Sequence, residues 1–125
     1  MPVRSLHSAV LKWPDRETID RAVREWAREL IRSHPEILAV GYIGSYARGD
    51  WGVGSDVDLL ILVSRSALPF HRRSTEFDTS QLPVPADLFV YTLDEWQTIE
   101  REGRRFYRTV MNEVVWVYNS RVGEL

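Results

Sequence analysis

Asp56 and Asp58 stand two residues apart at the head of an apolar run, Val57 to Val63, with the sequence V-D-L-L-I-L-V. In an extended chain the period-two geometry points both carboxylates to one face, about 7 Å apart along the backbone. Like charges at that spacing repel by roughly 2 kcal/mol at an effective dielectric near 20. On a strand built for burial, a divalent cation removes the penalty, and carboxylate oxygens suit a hard ion such as Mg2+ or Mn2+. The plainer alternative is a solvated strand start carrying two ordinary acids. Asp87 is a third carboxylate in a separate apolar run, Ala86 to Tyr91 (A-D-L-F-V-Y), where an unpaired acid is costly. If the two runs are neighbouring strands, three carboxylates converge at one end of a sheet. Otherwise Asp87, directly after Pro85-Ala86, marks an exposed strand start.

Gly44-Ser45 closes the preceding apolar run, Ile37 to Ile43. Glycine lets backbone approach a phosphate closely, serine offers a hydroxyl, and successive amides in such a turn form an anion nest. An ordinary strand-to-helix turn is the alternative. Arg48 either neutralises a triphosphate or is a solvated helix residue. Gly49, Gly52 and Gly54 serve turn geometry, Asp50 is a loop residue, and His7, His34 and His71 are surface or boundary residues.

The elements that must position these groups follow from periodicity. Residues 15–33 form an amphipathic helix, with Ile19, Ala22, Val23, Trp26, Ala27, Leu30 and Ile31 in one continuous stripe. Asp15 is its N-cap, Glu17–Arg21 and Asp20–Arg24 are acid-before-base pairs, and Pro35 stops it. Strands are expected at 37–43, 57–63, 86–91 and 114–118, with residues 64–80 ambiguous. Asp94 caps a helix through Trp96 and Ile99, and a further helix covers 104–111. Trp26 and Trp116 belong to the core, while Trp51, between glycines, is exposed. Helices interleaved with apolar strands predict an α/β (α+β) fold, a mixed sheet of about four to five strands flanked by helices.

Composition sets the outer bounds. A chain of 125 residues with 44% hydrophobic content is expected to be a single domain over 1–125 with its own core. The absence of cysteine excludes disulfide scaffolds and thiolate metal sites. A net charge of −2 argues against coating nucleic acid by bulk electrostatics. Arg101, Arg104, Arg105 and Arg108 form a late basic cluster, either a solvated helix face or a contact for an acidic partner or RNA. No stretch approaches the ~18 apolar residues of a membrane span. The first twenty residues contain Arg4, Lys12, Asp15, Arg16 and Glu17 and no apolar segment, so a cytoplasmic address is expected.

Taken jointly, Gly44-Ser45, ten intervening residues, Asp56-Val57-Asp58 and the downstream Asp87 resemble the signature of the DNA polymerase β-type nucleotidyltransferases. The form G-S-x-A-R-G…S-D-x-D-L is closest to the minimal nucleotidyltransferases, and the likeness covers roughly residues 15–120. The resemblance implies the polymerase β-type nucleotidyltransferase fold and a metal-dependent transferase acting on a nucleoside triphosphate, with ATP as substrate. Asp56 and Asp58 would hold the metal that bridges the triphosphate, and with Asp87 a second metal that activates an acceptor hydroxyl. Gly44 and Ser45 would grip the β- and γ-phosphates, and Asp87 would receive the acceptor's proton.

Minimal nucleotidyltransferases are typically encoded beside a helical HEPN protein, and several such pairs act as antitoxin and toxin. The resemblance therefore implies an antitoxin that transfers AMP from ATP to a tyrosine of a HEPN-type partner. Two other classes stand beside it: a weakly catalytic or non-catalytic module that neutralises a partner by contact, and a small-molecule nucleotidyltransferase like the aminoglycoside-modifying relatives. Arg28-x5-His34 and Arg65-x5-His71 match the loose HEPN ribonuclease spacing. HEPN proteins are all-helical, however, and the strand runs here exclude that role.

Overall fold

The computed structural model describes residues 13–120. Asp15 accepts the Thr18 N–H at 2.9 Å and starts helix α1 (Arg16–Ser33), a cap whose loss typically costs about 1 kcal/mol. Along α1, Ile19, Val23, Trp26, Ala27 and Leu30 are buried in one stripe. Arg24 closes onto Asp20 at 2.6 Å; the Glu17–Arg21 pair does not close. Strand β1 (Ile37–Ile43), the single-turn helix α2 (Ser45–Arg48) and strand β2 (Val57–Val63) follow. The ambiguous stretch contains a 3-10 segment, Phe70–Glu76. Strand β3 (Ala86–Thr92), helix α3 (Leu93–Glu102), helix α4 (Arg105–Glu113) and strand β4 (Val115–Asn119) complete the described chain.

The sheet has four strands in the order β3-β2-β1-β4. The β1 strand is antiparallel to β2 and β4, while β2 and β3 run parallel. Both central strands are covered on both faces, which is why their sequences are continuous apolar runs and not alternating ones. One face packs Tyr42, Leu59, Ile61 and Val90 against the α1 stripe. The other packs Ala39, Ile43, Leu60 and Leu62 against Trp96 of α3 and Val110 of α4. Each large side chain fully buried in these layers stabilises the fold by about 1.5–3 kcal/mol.

Three local expectations are corrected. Asp94 does not cap α3. Thr92 does, its hydroxyl accepting the Glu95 N–H while Glu95 accepts the Thr92 N–H, a complete capping box. Strand β3 thus runs into α3 without a loop. Trp51 is half-buried, stacked on the buried Tyr46 with ring centroids 5.6 Å apart. Trp26 is buried as expected and donates its indole N–H to the Asp78 carbonyl at 2.8 Å, while Trp116 is only half-buried against the α3/α4-side core.

Arg73 is buried and bidentate to Glu95, at 2.6 Å and 3.0 Å, and donates to the Leu68 and Val90 carbonyls. This cluster ties the 3-10 segment to β3 and α3. His71 is exposed, and His34 sits against Glu36 and the Phe77 ring near the start of β1. His7 lies outside the described residues.

Candidate active site

The sheet topology assembles the acidic residues. Ile43, the last residue of β1, is the antiparallel partner of Asp58, and Asp58 is in direct parallel register with Asp87. Registered residues of adjacent strands share a face. Asp58 stands two and four residues before Leu60 and Leu62, which pack toward Trp96 and Val110. Asp87 bears the same relation to Phe89 and Tyr91, which belong to that layer too. Asp58 and Asp87 therefore lie together at one end of the α3/α4 side of the sheet, with Asp56 just ahead of β2. Asp56 and Asp87 are exposed and Asp58 is half-buried.

Burial pushes the Asp58 carboxyl above its ordinary value of 3.8, and the charges of Asp87, Asp56 and Glu113 push it further; Arg48 offsets part of this. The side chain is thus held where its own charge is disfavoured, a pattern concentrated at functional sites. Gly44 makes the close approach possible. Its φ is +79° and its ψ −152°, and a Cβ built there would run into the Asp58 carboxylate. The bend between β1 and α2 therefore admits only glycine against that acid.

Ser45, half-buried, begins α2 beside this contact. Arg48, with its side chain 48% exposed, lies between Asp50 at 3.1 Å and Glu113 at 3.4 Å. It is therefore neither free nor simply solvated. Glu113 is a fourth carboxylate that the motif reading did not include. It ends α4, its side chain is 14% exposed, and it accepts the Gly44 N–H at 2.6 Å. The one sequence signal for it is an acid at the C-terminal end of a helix, where the macrodipole disfavours negative charge.

The donor atoms around Asp58 are carboxylate oxygens, a set that fits a hard divalent cation, and the half-buried Asp58 carboxylate is crowded by like charges that such a cation would offset. Among the described residues, no three His, Asp or Glu side chains are gathered tightly enough to form a finished metal-binding group. The backbone sets Asp58 and Asp87 in register at this end of the sheet. Among the described residues, no helix is long and apolar enough to cross a membrane.

A crystal structure of a proposed nucleotidyltransferase from Sulfolobus solfataricus superimposes with a TM-score of 0.57 at 20% identity, covering 81% of this chain and 80% of that one. This likeness shows the fold. Weaker overlaps occur with a toxin–antitoxin complex containing AMP-PNP (TM-score 0.48, 14% identity, 79% and 75% covered). A mutant MntA–HpeT toxin–antitoxin complex is comparable (TM-score 0.49, 18% identity, 77% and 72% covered). No curated protein matches the chain. The sequence pattern of the nucleotidyltransferase domain matches residues 23–117, a span that includes Gly44, Asp56, Asp58, Asp87 and Glu113. The chain belongs to the nucleotidyltransferase-domain family.

Proposed function

We propose that this chain is a metal-dependent adenylyltransferase antitoxin, moving AMP from ATP to a tyrosine hydroxyl of a helical HEPN-type toxin. The register of Asp58 with Asp87, with Asp56 ahead of them and the Gly44 bend against Asp58, is the observation that carries the catalytic part. The G-S-x-A-R-G…S-D-x-D-L form, resembling minimal nucleotidyltransferases, supports the antitoxin part.

Asp56, Asp58 and Asp87 are the residues that would hold Mg2+ or Mn2+, which when bound offsets triphosphate charge and favours ionisation of an acceptor hydroxyl. Gly44 lets the backbone approach the β- and γ-phosphates, and the Ser45 hydroxyl donates to them. Arg48 adds a cation, and its exposed pairing with Asp50 is worth only about 0–1 kcal/mol, so a phosphate displaces it readily. Asp87, exposed at the start of β3, accepts the acceptor's proton. The acceptor oxygen bonds to the α-phosphorus, the bond from that phosphorus to the bridging oxygen breaks, and pyrophosphate leaves with the electron pair.

The test is incubation of the purified chain and the protein encoded beside it with α-labelled ATP and Mg2+, in parallel with an Asp56→Asn/Asp58→Asn double variant. Label on a partner tyrosine that disappears with the double variant is the expected result. Absence of label together with full neutralisation by the double variant would replace this reading with neutralisation by contact.

A further inference from the structure

Glu113 is placed where two electrostatic effects disfavour it. It closes α4, so its charge meets the negative end of the helix, and it adds to the field that pushes the Asp58 carboxyl upward. It is also largely covered, at 14% side-chain exposure. Such a placement requires compensation, and two groups provide it: the Gly44 N–H at 2.6 Å and the Arg48 guanidinium at 3.4 Å. Both belong to the bend and short helix that carry Gly44-Ser45.

The mount for this carboxylate is tied to the sheet. One residue beyond Glu113, after Val114, the chain enters β4, which pairs with β1 through Val115–Tyr42 and Trp116–Gly41. The backbone that presents Glu113 and the backbone that receives it are therefore held by the same ladder. Gly44 in turn faces the Asp58 carboxylate with the side that a Cβ would fill, leaving no room for one. Glu113, Gly44 and Asp58 thus stand in sequence across the bend, with Arg48 held beside them.

We propose that Glu113 is a positioning residue of the nucleotide site, clamping the Gly44 backbone against Asp58 and holding Arg48 over the bend. This rests on the nucleotidyl-transfer reading of the site. A carboxylate that only anchored α4 to the sheet would affect stability alone; a positioning carboxylate affects ligand uptake through a hydrogen bond that glutamine can replace.

The experiment compares wild type, Glu113→Ala and Glu113→Gln. Melting curves establish folding, and the amide resonance of Gly44 in 15N-labelled protein follows the hydrogen bond. Calorimetric titration with Mg2+ and α,β-methylene ATP measures uptake without turnover. In Glu113→Ala the Gly44 amide proton should move upfield and affinity should fall by about 10- to 100-fold, the range seen when outer partners of metal ligands are removed. In Glu113→Gln, whose side-chain oxygen accepts the same N–H, affinity should return to within about threefold of wild type. Wild-type binding matched within twofold by a folded Glu113→Ala variant would overturn the positioning role alone. A folded Glu113→Gln variant that binds as poorly as the alanine variant would also overturn it. No uptake by the wild type would refute the nucleotidyl-transfer reading, and the inference with it.

Discussion

Replacing Gly44 by alanine tests whether the bend and the acid are one unit. The backbone at φ +79°, ψ −152° lies in a region used almost only by glycine, where an L-residue costs about 1–3 kcal/mol. The added methyl also meets the Asp58 carboxylate, and overpacking of this kind costs about 1–3 kcal/mol. The sum is near 4 kcal/mol, a melting-temperature loss of roughly 10 °C or more for a domain of this size. Two other glycines separate the terms. Gly49 has φ +90° with open space around it, so Gly49→Ala carries backbone strain without collision. Gly52 has neither, and Gly52→Ala should stay within about 0.5 kcal/mol of wild type. Thermal and urea unfolding of the three variants should therefore rank Gly44→Ala worst, Gly49→Ala intermediate and Gly52→Ala neutral. Adding Asp58→Ala to Gly44→Ala should recover the collision part, about 1–3 kcal/mol beyond additivity. Equal losses at Gly44 and Gly49, with no coupling to Asp58, would refute the claim that the bend is shaped around that carboxylate.

The buried Arg73 should be the most costly charge to delete: Arg73→Ala leaves the Leu68 and Val90 carbonyls without their donor and removes the partner of the part-exposed Glu95, a loss of about 1–3 kcal/mol by urea unfolding. The same pair gives a pH dependence. The Arg73 guanidinium holds the Glu95 carboxyl below its ordinary 4.5, so its stabilisation is complete above that value and disappears as pH falls through the lower folded value. The stability gap between wild type and Glu95→Gln should thus be constant near neutrality and close on acidification below 4.5; a gap unchanged in acid would contradict it. Asp58 has the opposite sign. Its folded value is raised, so its ionised form destabilises the fold above 3.8, and Asp58→Asn should melt higher than wild type at neutral pH without added metal. That advantage should shrink as pH falls toward 3.8, and an Asp58→Asn variant less stable at neutral pH would count against the electrostatic description.

The parts of this protein legible in its sequence are those whose physics is local. The α1 stripe declares itself through its 3.6-residue period, and β2 through an apolar run too short for a helix and covered on both faces. Asp56 and Asp58 were readable as a pair because a strand's period is two. Thr92 escaped because one residue ends β3 and caps α3, so no loop composition separates the two elements. The partnership of Asp58 with Asp87 depends on a parallel ladder whose connection passes through the ambiguous 64–80 stretch, so the sequence offered it only on the condition that the two apolar runs are neighbouring strands, a condition that the resemblance to a known signature supported. Glu113 meets Gly44 across 69 residues of sequence, through a strand pairing that no local period encodes. An acid that opposes its own helix dipole and crowds another carboxylate is unfavourable in each local term taken separately. Its compensation comes from the bend that it grips, which lies where the sheet brings Asp58 and Asp87 together, so the residue least visible to pattern reading is the one that ties the motif to the fold.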